Sequence, residues 1–221
     1  MRGVADRDAV AVIGIGRFGE SLARELMAQG TEVMVIDSSE HTIQRMSGEV
    51  THAVAADSTD EQALRQLGID EFRRVCVGIG SNLEGSILTC SVLKTLGVPS
   101  IWAKAISAAH ARILEQLGVD HVVRPEHDTG RRIAHLVAGR LLDYIELDDG
   151  YAIVKMHPPA AILDVPLGET GVRRRHGVTV IGVKERGADF HHATAETVVT
   201  GDCLVIVSGR REDVERFSEL S

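Results

Sequence analysis

The stretch Ala9 to Glu20, AVAVIGIGRFGE, runs a β-branched segment straight into a glycine turn and out into an amphipathic helix. That unit then recurs, and the recurrence is what most restricts the fold. The runs EVMVID, THAVAA, RRVCVGIG, PSIWAKA and VDHVVRP follow AVAVIG. Between them lie helical stretches over residues 18–29, 39–46, 60–67, 82–96 and 107–117. Strands alternating with helices predict a parallel sheet covered on both faces, the doubly wound Rossmann-like α/β fold. In the first helix Phe18, Leu22 and Leu26 recur at four-residue spacing and form an apolar stripe toward the sheet.

After VVRPE the pattern changes. Residues 128–146 read as one long helix, with Ile133, Leu136, Val137 and Leu141 on one face and Ala134, Ala138 and Leu142 beside them. So broad a stripe suits packing on two surfaces. Beyond it YAIVKM, VTVIGVKE and DCLVIVS read as strands without the earlier alternation, interrupted by Pro158, Pro159 and the segment PLGETG. The expected organisation is a nucleotide-binding lobe over residues 1–125, a crossover helix over 126–144 and a smaller C-terminal α+β domain over 145–221.

Acidic residues outnumber basic ones 32 to 24, for a net charge of −8, which gives no electrostatic basis for nucleic-acid or anionic-membrane binding. The one local basic cluster, RRRH at 173–176, is not a basic helix-turn-helix, so a repressor is not expected. Cys76, Cys90 and Cys203 are far apart in apolar surroundings and form no CxxC pair, as small core residues do in a reducing compartment. No run of about 18 apolar residues suggests a span, and MRGVADRDA lacks a signal peptide's apolar stretch. A cytoplasmic chain without membrane insertion is expected, acting at a membrane through a partner.

Gly14, Gly16 and Gly19 stand where a phosphate cradle needs them, directly after a strand and opening a helix. Gly14 permits the turn, Gly16 lets a phosphate approach the backbone, and Gly19 allows close helix–sheet packing. Asp37 ends the second strand at about the 20-residue spacing of a ribose-binding carboxylate, which also disfavours a 2′-phosphate. The alternative makes Asp37, or equally Ser38, an N-cap for the next helix. Asp57, followed by Ser58, closes the third strand and either meets a base or caps the helix near Asp60. Gly78 and Gly80 leave room at the carboxyl edge of the fourth strand, and Lys104, ending the fifth, meets phosphates or solvent. Arg17 adds a cation to a site already electropositive, which suits a triphosphate better than a dinucleotide. Its alternative is an exposed pair with Glu20. Glu126, after Pro125, fits a first helical turn, where the dipole favours a carboxylate.

The combination of GIGRFG, Asp37, AADST, PSIWAKA, VVRPEHDTG and DCLVIVSGRREDVERF resembles the cytosolic regulatory subunits of Ktr/Trk-type bacterial potassium uptake systems, the RCK proteins. The resemblance runs from about Ala9 to Phe217. It implies dimers assembled into an octameric ring beneath a membrane potassium-transporting subunit, binding ATP and ADP, and also NAD(H), without chemistry on the ligand. It further implies that Gly14, Gly16 and Gly19 cradle phosphates, that Asp37 holds the ribose, and that Asp57 lies near the adenine. Phe18, Ser38, Ser58, Gly80 and Lys104 complete the nucleotide-binding set. Arg17 would reach the terminal phosphate of a nucleotide in the neighbouring subunit, and Glu126 would hold a divalent cation or sodium at the dimer interface. Some relatives bind cyclic di-AMP in the C-terminal module; the matching residues are Arg173, Arg175 and His176, whose alternative is a solvated basic turn. His191 and His192 would point to opposite faces of a strand, against joint metal ligation.

A small NAD-dependent oxidoreductase is the competing reading. It needs a general acid or base beside the nicotinamide and a substrate pocket. No Ser/Tyr-x-x-x-Lys or histidine relay follows the cradle, so an enzyme is not expected. A cation/proton antiporter would be an alternative partner to a potassium transporter.

Overall fold

The computed structural model describes residues 8–137, 141–147 and 150–220. The chain divides into two compact units, Met1–Glu126 and His127–Ser221.

The first unit is built on strands β1 (Val10–Ile13), β2 (Val33–Asp37), β3 (His52–Ala55), β4 (Arg74–Val77), β5 (Ser100–Lys104) and β6 (His121–Val123). They pair in the order β3-β2-β1-β4-β5-β6, parallel throughout. Every residue of β1 is buried, because helices cover the central strand on both faces. Ala11 and Ile13 face one apolar core with Leu64, Leu93, Ile101 and Leu114; Val10 and Val12 face the other with Ala23, Val35 and Met46. The strand order reverses between β1 and β4. In open α/β sheets a ligand crevice lies outside the carboxyl ends at such a point.

The helices are α1 (Arg17–Ala28), α2 (Glu40–Met46), α3 (Glu61–Gln66), α4 (Leu83–Thr95) and α5 (Ala108–Gln116). Four of them begin on a side-chain cap: Ser39 accepts from Thr42 N–H at 3.3 Å, Asp60 from Gln62 at 2.8 Å, Asn82 from Gly85 at 3.0 Å and Ser107 from His110 at 3.1 Å. α1 instead begins at Gly16 with no side-chain cap. Its face toward the sheet centres on buried Gly19 and Ala23, with Phe18, Leu22 and Leu26 packed half-buried at the flanks.

In the second unit, helix α6 (Pro125–Val137), which begins in the first, leads to β7 (Leu141–Glu146), β8 (Tyr151–Met156), helices α7 (Leu167–Thr170) and α8 (Val172–His176), β9 (Val178–Lys184), β10 (His191–His192), β11 (Leu204–Arg210) and α9 (Arg211–Ser218). The sheet order is β10-β9-β11-β8-β7, antiparallel. Its core gathers Val154, Val180, Val205 and Val207 around Val214 and the fully buried Phe217 of α9.

The single helix expected over 128–146, and over 126–144 as the crossover, is corrected here. Leu141 to Glu146 form a strand of the second sheet. Leu141 and Tyr144 are both buried at a three-residue spacing that mimics a helix. The register of β7 on β8 shifts between Leu141 and Asp143, and this bulge turns both side chains to one face. Ala138 of the expected stripe lies outside the described residues. α6 buries no residue among those described; Ile133 is 48% exposed and Val137 79%. His191 and His192 occupy an exposed two-residue edge strand. Cys76, Cys90 and Cys203 are free and buried, and burial pushes the thiols of Cys76 and Cys90 up to about 12.

Candidate functional site

A cleft of about 560 Å³ opens at the carboxyl ends of the parallel strands, within the range of about 300–1,000 Å³ usual for small-molecule sites. Gly14, Gly16, Arg17 and Phe18 line it at the head of α1; Asp37 and Ser38 come from the end of β2; Asp57 and Ser58 follow β3. Gly80, Lys104 and Glu126 close the other side. Of the residues singled out for the nucleotide, Gly19 alone is not on the wall.

The three glycines differ in what requires them. Gly14 holds φ at +87°, and a Cβ there would sit 2.8 Å from Ile79 N. A Cβ on Gly19 would run into the Gly14 carbonyl oxygen, so this glycine lets α1 pack against the turn. At Gly16 nothing lies within 4 Å of the corresponding position. The uncapped N–H groups of α1 face this open space, a combination that suits an anion.

Asp37 is committed at both oxygens: Oδ2 accepts from Ile15 N–H at 2.7 Å and Oδ1 from Ser39 N–H at 2.9 Å. It thus fastens the glycine turn to the end of β2, and each oxygen keeps a further lone pair for a ligand hydroxyl. Neither Asp37 nor Ser38 is the cap of α2; that residue is Ser39. Likewise Asp60, not Asp57, caps α3. Asp57 Oδ1 accepts from the backbone N–H of Thr59 at 2.9 Å and from its hydroxyl at 2.7 Å, and these bonds hold the carboxyl below the usual carboxylate range. Ser58 is buried and shares a 2.8 Å hydrogen bond with Thr89 of α4.

Arg17 does not pair with Glu20. That carboxylate is taken by Arg24 and Arg45, each at 3.0 Å. No carboxylate lies within ion-pair distance of Arg17 among the described residues, and its guanidinium is exposed at the rim of the cleft. Lys104 is not solvated: its side chain is 12% exposed, its ammonium lies 5.8 Å from the centroid of Phe18, and Nζ donates to Glu126 Oε1 at 2.6 Å. The Lys104 ammonium is the main reason the Glu126 carboxyl sits below its ordinary range, with a weaker field from Arg17. Pro125 and Glu126 open α6, the position at which the dipole favours a carboxylate. No group of three His, Cys, Asp or Glu side chains placed to hold a metal ion occurs among the described residues, around Glu126 or elsewhere.

In the second unit the three candidate residues on α8 have separate engagements. Arg173 Nε donates to Thr179 Oγ1 at 3.1 Å, the His176 ring packs tilted on Phe217 at 5.6 Å, and Arg175 is exposed. Sequence reasoning missed Ser81, Asn82, Gly85 and Ile106 in the cleft wall. A polar cap directly after the fourth strand was the signal for Asn82, which places the start of α4 at the same edge as that of α1.

Residues 10–125 match the TrkA-N domain and residues 151–221 the TrkA-C domain. The Ktr system potassium uptake protein C of Bacillus subtilis (strain 168) is 37% identical over 210 residues, covering 95% of both chains. The Ktr system potassium uptake protein A of the same organism is 38% identical over 209 residues, 94% of both chains. The chain belongs to the Ktr/Trk family of RCK proteins. Solved RCK structures share this member's fold. The GsuK channel bound to NAD superposes with a TM-score of 0.69 at 21% identity, over 99% of this chain and 40% of that one. GsuK bound to ADP superposes with a TM-score of 0.52 at 19% identity, over 57% of this chain and 34% of that one.

Proposed function

We propose that this RCK protein is a cytoplasmic regulatory subunit of a Ktr/Trk-type potassium uptake system, and that it senses nucleotide state by binding ATP and ADP in the cleft at the head of α1. One observation carries the reading. Among α1–α5 only α1 lacks a side-chain cap, and its N–H groups face an open cleft rimmed by an arginine that has no acidic partner among the described residues. In this reading Gly14 and Gly16 cradle phosphates, Asp37 accepts from the ribose, and Asp57 lies near the adenine. NAD(H) competes for the same place.

Sensing requires unequal affinity of ATP and ADP for two conformations, because equal affinity shifts no equilibrium. Arg17 supplies the inequality by reaching the terminal phosphate of a nucleotide held in a neighbouring copy. The unpacked Ile133 and Val137 on α6 support a homo-oligomer, for which an octameric ring is the arrangement proposed, and the full relatives at 37% and 38% identity support a potassium-transporting partner. Glu126 joins a divalent cation or sodium at the dimer interface, and Arg173, Arg175 and His176 are the residues to test for cyclic di-AMP. No chemistry on the nucleotide is part of this function.

Calorimetric titration with ATP, ADP, NADH and cyclic di-AMP, with and without magnesium or calcium, tests the reading. Saturable ATP and ADP binding of different affinity is expected. Tight NADH binding with no response to ATP contradicts it.

A further inference from the structure

Arg17 and Lys104 are the two cations among the residues lining the cleft, and they are held differently. Arg17 is exposed and has no carboxylate within ion-pair distance among the described residues, whereas Lys104 is packed between the Phe18 ring and Gly80, where a Cβ would stand 3.5 Å from its Nζ. Glu126, which accepts from that ammonium, is 64% exposed on its side chain, against 12% for Lys104. Of the two partners, the lysine is therefore the fixed one and the glutamate the one free to leave. An ammonium so largely withdrawn from water needs an anionic or hydrogen-bonding partner, and here Glu126 is that partner.

We infer that Glu126 is an internal anion seated on Lys104, and that the phosphates of a bound nucleotide take its place. The inference rests on the cleft being a nucleotide site, as proposed above. A phosphate offers Lys104 charge-assisted acceptor oxygens equivalent to those of the carboxylate. A carboxylate left beside the incoming phosphate is repelled, and its exposed position gives it a path into solvent. The exchange has two consequences. Part of the binding free energy is spent on displacing Glu126, which lowers apparent affinity. The displaced group is the second residue of α6, so phosphate binding acts directly on the first turn of that helix, and the freed carboxylate becomes available to a cation.

The test measures ATP dissociation constants by calorimetry in EDTA, so that cation ligation by Glu126 does not contribute. Thermal melts accompany each variant to show that it is folded. Glu126→Gln keeps size and polarity but removes the competing charge. For a pair exposed on one side, it is expected to tighten ATP binding about two- to fivefold. Lys104→Met is expected to weaken it, and adding Glu126→Gln to Lys104→Met is expected to change nothing further. ATP binding by Glu126→Gln equal to or weaker than the parent's overturns the exchange. So does an equal gain in the Lys104→Met background, because the carboxylate then acts by general repulsion and not through Lys104. Failure of the parent itself to bind ATP removes the nucleotide-site reading, and the exchange with it.

Discussion

Replacing Gly16 and Gly19 separately by alanine tests what the cradle is for, because the structure assigns them different jobs. At Gly16 the backbone is extended, φ −80° and ψ −170°, and an added methyl meets nothing within 4 Å. Alanine is a poorer N-cap than glycine by up to about 1 kcal/mol, while the loss of unfolded-chain freedom returns about 0.4–1 kcal/mol. The two terms nearly cancel, so Gly16→Ala is expected to melt within about 2 °C of the parent. Gly19→Ala drives its methyl into the Gly14 carbonyl oxygen and to 3.2 Å from that carbonyl carbon. Overpacking of this kind costs about 1–3 kcal/mol or more, a drop of about 2–10 °C for a chain of this size. In the ligand-bound protein the order reverses. The Gly16 methyl occupies the space in front of the α1 N–H groups, and losing even one charge-assisted hydrogen bond there, about 1.5–3 kcal/mol, weakens ATP at least tenfold. Thermal melts and calorimetric titration on the same preparations separate the two effects. A folded Gly16→Ala protein that binds ATP within twofold of the parent would refute the placement of phosphate at the head of α1.

Two further outcomes follow from burial. His110 is 1% exposed, Nδ1 accepts from Ile106 N–H at 3.4 Å, Nε2 has no partner among the described residues, and burial lowers its pKa from the ordinary 6.5. The folded histidine stays neutral where the unfolded one takes up a proton, so its contribution is complete above pH 6.5 and is lost as pH falls below it, by up to about 1.4 kcal/mol per unit. Urea melts between pH 7.5 and 5.5 are expected to show this slope in the parent and a smaller one in His110→Gln; equal slopes would count against it. Phe217→Ala empties a fully buried ring site in the second unit and is expected to cost about 3–5 kcal/mol, read as an early transition in that unit with ATP binding by the first unit retained.

The parallel sheet was legible because β1, β2 and β4 are buried on both faces and leave runs of Val and Ile between glycine punctuation. Helix starts were legible too, at Ser39, Asp60, Asn82 and Ser107, though Asp37 and Asp57 are equally plausible caps by residue type and only the fold assigns those roles to Ser39 and Asp60. What failed was β7. A bulge gave Leu141 and Tyr144 a spacing that periodicity alone reads as helix, and only pairing with β8 decides otherwise. At the site, residues local to one turn could be grouped from the sequence. The Lys104–Glu126 contact could not, because the two belong to different elements and come together through the packing of β5 beside β6. The pairing of Glu20 with Arg24 and Arg45, which takes that carboxylate away from Arg17, was hidden for the same reason.

In the proposed function the cleft distinguishes nucleotides by phosphate number, and Arg17 makes the distinction. The direct measurement is the ratio of ATP to ADP dissociation constants in the parent and in Arg17→Ala. Arg17 is exposed and carries no packing role, so the variant is expected to fold normally. The parent ratio is expected to lie well away from one and to move toward one by about tenfold when a charge-assisted contact to the last phosphate is lost. An unchanged ratio in folded Arg17→Ala contradicts it.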